Sequence, residues 1–113
     1  MANTERLKVI QIVRQAKKST ASARFDISIS GRKRKELEKL YIKLDEIEDL
    51  LILEEITTKV DVLTQASIDL EVINDNIRKN IRELEGVAEM VGKAATAVKV
   101  LVSLAVQAAA IMA

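Results

Sequence analysis

From Leu53 to Met112 apolar residues recur at alternating steps of three and four. They are Leu53, Ile56, Val60, Leu63, Leu70, Ile77, Ile81, Leu84, Ala88, Val91, Ala95, Val98, Val102, Ala105, Ala109 and Met112, interrupted only by Ser67 and Asn74. Between Leu53 and Val91, ten of the twelve stripe positions are apolar, against seven of the twenty-seven positions off the stripe, which rules out an accident of composition. One apolar residue per half-turn on a single face is the pattern of a coiled-coil seam or of a helix packed in a bundle. A straight helix drifts ~20° per heptad from a strict seven-residue repeat, so a stripe this long implies supercoiling about a partner or division into shorter helices. Gly86 and Gly92 are the places to divide it, although the phase runs through both and favours continuity.

The remaining composition agrees with a helical chain. There is no proline to stop a helix, and Phe25 and Tyr41 are the only aromatic residues, which points away from sheet structure. At 113 residues the chain fits one helical domain, which assembly would stabilise further.

With no cysteine, histidine or tryptophan, the usual thiol and imidazole nucleophiles and bases are absent, as are the common zinc and haem ligand sets. Gly31, Gly86 and Gly92 are scattered and build no phosphate-cradling loop. The sequence therefore carries no catalytic, cofactor or metal constellation, and a non-enzymatic role is expected.

The formal charge of +1 conceals three blocks. Residues 1–35 hold ten basic and two acidic side chains, a net of +8; residues 36–85 hold six and fourteen, a net of −8; residues 86–113 hold two and one, a net of +1. Opposed blocks of this kind imply head-to-middle pairing, within the chain or between subunits. The organisation read from this is a basic amphipathic helix with connector over 1–31, an acidic coiled-coil region over 32–85 and an apolar, Ala-rich tail over 86–113.

In the head, Leu7, Val9, Ile10, Ile12, Val13 and Ala16 share one side of a helix, with Arg6, Lys8, Arg14, Lys17 and Lys18 around the rest. The opening residues hold charges and lack the apolar run of a signal peptide, so a cytoplasmic or membrane-associated location is expected. Residues 25–31 alternate apolar and polar and are read as an extended connector. Arg32, Lys33, Arg34 and Lys35 then fall at a helix start, where positive charge is unfavourable by about 0.3–1 kcal/mol per exposed group. An anionic partner is the expected reason: lipid head groups first, or an acidic surface on a neighbouring subunit. Nucleic acid is disfavoured, since no stacking aromatics accompany the cations.

Leu37, Leu40, Leu44, Ile47 and Leu51 mark the next helix, after which the phase slips by two residues before Leu53. Packing must change there, and Thr57-Thr58 with Asp61 offers a weak cap for a new helix. Within the stripe, Leu53, Ile56, Val60, Leu63, Leu70, Asn74, Ile77, Ile81, Leu84, Val91, Val98 and Val102 are read as an oligomerisation seam, with the Asn74 amide setting register. Val62, Ala66 and Ile73 flank it and ask for more than one neighbour.

From Ala94 to Ala113 Lys99 is the only charge, and a helix of this length would measure about 30 Å, the thickness of a bilayer's hydrocarbon. Val100, Leu101, Leu104, Val106 and Ile111 are its candidate membrane-facing or bundle-facing residues. Against lipid stand the missing aromatic belt and a polar strip of Glu89, Lys93, Thr96, Lys99, Ser103 and Gln107, which suits a helix with one wet edge.

These readings combine into an all-α fold, an elongated helical hairpin or coiled-coil bundle with a long C-terminal helix or helix pair ending in an apolar tail. A four-helix bundle turning near Thr57 and Gly86 is the alternative. The expected function is self-association into a homo-oligomer with membrane association or pore formation. The alternative is a soluble structural or adaptor subunit of a virion, secretion apparatus or filament, its tail buried in an oligomer or against a partner helix. In composition alone the plan is similar to that of small bacterial pore-forming, translocator and virion-assembly proteins.

Overall fold

The apolar spacing resolves into four helices in the computed structural model, which describes residues 3–26, 30–53 and 55–112. They are α1 (Asn3–Arg24), α2 (Gly31–Leu53), α3 (Val60–Asn80) and α4 (Glu85–Met112), with short 3-10 turns at Ile56–Thr58 and Arg82–Leu84. The connector expected before Gly31 falls largely on residues 27–29, outside the described residues, as do the side chains of Ala109 and Met112 at the end of the stripe.

Ser30 sets the start of α2. Its hydroxyl accepts the Lys33 amide at 3.3 Å and its carbonyl accepts the Arg34 amide at 3.0 Å, the pattern of an N-cap. The cap expected from Thr57, Thr58 and Asp61 is not used. Residues 56–58 wind into the 3-10 turn, Thr58 donates its hydroxyl back to the Glu55 carbonyl at 2.8 Å, and α3 begins after Lys59 without a side-chain cap.

The continuity expected from the stripe is corrected by the second turn. The chain breaks at Ile81, whose backbone is extended (φ −135°, ψ 89°), while Gly86 and Gly92 both lie inside α4. The reason is burial: Ile81 and Leu84 are both in the core, so the chain turns about two apolar anchors instead of at a flexible glycine. The phase of the stripe survives because these two residues keep facing inward.

Helix α1 packs on α2 and α4, and α3 packs on α2 and α4, giving an up-down-up-down four-helix bundle of 52 × 21 × 18 Å. Its core takes large side chains from α2 and α3 (Leu37, Leu40, Leu44, Ile47, Leu51, Leu63, Leu70, Ile77) and smaller ones from α1 and α4 (Val13, Ala16, Ala88, Val91, Ala94, Ala95, Val98). Large residues facing small ones let the four helices pack closely about one core. Burial of each Leu or Ile contributes about 1.5–3 kcal/mol, which makes this leucine set the main source of stability.

The fourth helix outruns its neighbours. It has 28 residues, against 22, 23 and 21 in the other three, and so is about 8–10 Å longer at 1.5 Å per residue. Ala105 is the last buried residue described along it, so the segment beyond projects past the end of the bundle where α1 begins and α2 ends.

Candidate interaction surfaces

The seam read as an oligomerisation surface is occupied within one chain. Ile56, Leu63, Leu70, Asn74, Ile77, Ile81, Leu84, Val91, Val98 and Val102 are buried in the bundle, and Val60 is half-buried against it. Leu53 is the exception. It closes α2 and is 76% exposed, because the phase slip before it puts it on the outer face. Of the flanking set, Ala66 is buried, Ile73 half-buried and Val62 exposed. The second apolar side of α3 is thus explained by two neighbouring helices of the same chain.

The four cations Arg32, Lys33, Arg34 and Lys35 stand at one end of the bundle, and the fold supplies a local reason for them. The N-terminus of α2 is flanked by the C-termini of its antiparallel neighbours α1 and α3, whose outward carbonyls carry partial negative charge. Arg34 reaches back to the carbonyls of Arg24 at 3.3 Å and Asp26 at 3.5 Å, tying down the end of α1. Ser30, Arg32, Lys33 and Glu36 share a cleft with Asn76, Asn80 and Ile81 from the end of α3. A residue type that is locally unfavourable at a helix start becomes favourable beside two helix ends.

Head-on-middle pairing takes a definite form along α1 and α2. Lys17 Nζ lies 2.5 Å from Asp45 Oδ1 and 3.0 Å from Glu48 Oε2, while Arg14 Nε lies 2.8 Å from Glu48 Oε1. Arg6 adds a bond to the Leu51 carbonyl. Tyr41 sits between cations, its ring centre 5.4 Å from Lys17 Nζ and 4.8 Å from the Arg24 guanidinium. The Asp45 hydrogen bond raises the Lys17 ammonium above its ordinary value despite desolvation by burial, and Glu48 adds to the rise. Burial pushes the Glu48 carboxyl up, but hydrogen bonds from Arg14 and Lys17 outweigh it and hold the group below the usual carboxylate range. On the α2–α3 side, Lys43 is raised by its hydrogen bond to Glu46, against desolvation, with Asp69 3.5 Å away adding to it. Opposed charge blocks gave the pairing in outline; the individual partners needed the register of the two helices.

The tail residues divide between two environments. Leu101 is buried, whereas Val100, Leu104, Val106 and Ile111 are exposed, Ile111 by 85%. Glu89, Lys93, Thr96, Lys99, Ser103 and Gln107 form a solvent-facing edge, and Lys99 pairs with Glu71 of α3. At the same end of the bundle, Leu7 and Ile52 line the groove between α1 and α2, and Leu53 and Val62 line the groove between α2 and α3. Leu53 opens the stripe and Val62 flanks it, whereas Leu7 and Ile52 come from α1 and α2, so the fold alone brings the four to one end.

Among the described residues no helix is long and apolar enough to cross a membrane, and no group of three or more carboxylate side chains is placed to hold a metal ion. The span expected over the last twenty residues fails because Ala94, Ala95, Val98, Leu101, Val102 and Ala105 are core of the bundle and Lys99 is spent on an ion pair beside α3. Comparison with protein-family models, with curated proteins and with solved structures returned no match.

Proposed function

We propose that the protein is a non-enzymatic structural subunit that works by assembly, its projecting α4 tail buried against a second copy in a soluble oligomer. The observation that carries this reading is the overshoot of α4. Val100, Leu104 and Ile111 recur along one flank of the helix at steps of four and seven, Val106 stands on another, and no charge follows Lys99. Two uncharged, alanine-rich stripes can pair about a two-fold axis without bringing like charges together, and large residues then meet small ones. The exposed cluster of Leu7, Ile52, Leu53 and Val62 lies at the same end and widens the apolar area on offer.

The geometry favours protein over lipid as the cover for this end. The cationic run and the apolar tail were expected to engage one membrane surface together. They stand at opposite ends of the bundle, since Arg32 and Leu53 are separated by nearly the full length of α2, about 32 Å. A single bilayer surface meets one or the other.

Mass measurement in buffer, with and without detergent, tests the proposal. A discrete oligomer without detergent is expected, and Val106→Glu with Ile111→Glu should abolish its tail-mediated contact with helicity unchanged. A wild-type monomer at all concentrations, or a protein that sediments with anionic liposomes and forms oligomers only there, would sink it.

A further inference from the structure

We propose that the protein also forms an exchanged dimer. In it α3 and α4 straighten into one helix, and α4 of each copy takes the place between α1 and α3 of the other.

The turn between α3 and α4 rests on a single residue. Asn80 is helical, Ile81 is extended, Arg82–Leu84 is wound in 3-10 form, and Glu85 is already helical at φ −57° and ψ −38°. Helical hydrogen bonding reaches into the turn, with the Ile81 amide donating to the Ile77 carbonyl at 2.8 Å. Rotation of the Ile81 backbone into the helical region, with a slight unwinding of the 3-10 segment, makes residues 60–112 continuous.

The turn is held by burial of Ile81 and Leu84 and by one 3-10 hydrogen bond, from the Leu84 amide to the Ile81 carbonyl at 3.2 Å, and not by a special backbone conformation. It contains no proline and no glycine, and among the described residues no backbone has positive φ, so the left-handed cap that commonly ends a helix is missing here. The two glycines of this region lie inside α4, where they do not oppose a straight helix by geometry.

The apolar pattern satisfies both forms. Ile77, Ile81, Leu84 and Ala88 follow one another at steps of four, three and four through the turn, and all four are buried. A hairpin makes no such demand, because each helix can face the core in its own phase. A continuous helix does demand it, since a slip would turn one half of its seam to water. After exchange α4 meets the same faces of α1 and α3, so every contact of the closed bundle is recovered from the second copy and the turn alone changes. Exchange of this kind is a low-cost route to a dimer.

The inference stands apart from the tail contact, which lies at the other end of the bundle. The test uses the full chain with cysteines introduced at Thr64→Cys in α3 and Ser103→Cys in α4, both exposed positions in a chain with no cysteine of its own. The doubly spin-labelled chain is refolded at high concentration in excess unlabelled chain, and the intramolecular distance is read in the isolated dimer. Exchange gives about 58 Å, 39 residues at 1.5 Å each, where the closed bundle keeps the two labels on neighbouring helices. Insertion of Gly-Ser-Gly after Ile81 should abolish this dimer, and Ile111→Glu should leave it intact. A dimer with only the short distance, or a monomer at every concentration, would overturn the proposal. A dimer lost with Ile111→Glu but indifferent to the insertion would also overturn it and would leave the tail contact standing.

Discussion

The side-chain amide of Asn74 donates to the main-chain carbonyl of Ala88, 3.1 Å away between α3 and α4, and its own carbonyl oxygen is buried without a hydrogen-bond partner. One heptad earlier, the Ser67 hydroxyl is buried with no partner either. The interruptions of the apolar stripe are therefore internal features of the bundle, placed where α3 meets its neighbours.

Asn74→Leu should raise stability by about 1–2 kcal/mol, because it removes a buried acceptor that has nothing to accept from, while the Ala88 carbonyl loses only a supplementary donor. Urea denaturation followed by circular dichroism measures the change. A loss of stability comparable to a core deletion would show that the amide bond outweighs its desolvation. Ser67→Ala should move in the same direction by a smaller amount.

Gly92→Ala is expected to stabilise the fold by roughly 0.5–1 kcal/mol, since glycine in a helix interior gives up that much to alanine. A methyl group there would sit 3.5 Å from Arg78 Nη2 and 3.6 Å from Asn74 Nδ2, ordinary contact distances. Gly86, with open space around it, should gain less because it lies in the first turn of α4. A shift of the thermal midpoint downward in either variant would contradict this.

The ion pairs between α1 and α2 set the pH range of stability. Glu48 is held below its reference value of 4.5, so its contribution is complete above that pH and is lost as pH falls through the lower folded value. Lys17 is raised above its reference value of 10.5, so its contribution is complete below that pH and is lost as pH rises through the higher folded value. Thermal melts across pH should show a plateau from about pH 5 to about pH 10 with a fall on each side. Glu48→Gln should be less stable than the parent at neutral pH and converge with it in strong acid. A constant gap between the two at all pH values would argue against the assignment.

Leu101 and Val100 are adjacent in sequence and should respond differently. Leu101 is buried, and Leu101→Ala should cost about 2–5 kcal/mol. Val100→Ala and Ile111→Ala, at exposed positions, should stay within about 0.5 kcal/mol when the folded monomer is measured. Equal costs at the three positions would mean that the tail is buried in the monomer as well.

Much of this fold is legible in the primary structure, because helix formation and helix burial are governed by local spacing. The absence of proline, the steps of three and four and the opposed charge blocks are enough to establish an all-helical chain, the inward faces of α2, α3 and α4, and the pairing of a basic first helix with an acidic second one. They also mark the slip near Leu51, where packing does change.

What spacing could not decide is which molecule covers a face. An apolar stripe is equally well buried by another subunit or by the chain itself, and only the turn at Ile81 shows that α3 and α4 fold back into one core. The same limit explains the cations at 32–35, which oppose their own helix end but lie beside the ends of α1 and α3, a neighbourhood created by tertiary structure. The tail follows this rule too. Leu101 and Ile111 are both apolar residues of one uncharged segment, and their opposite environments arise because three helices end near Ala105 and the fourth continues.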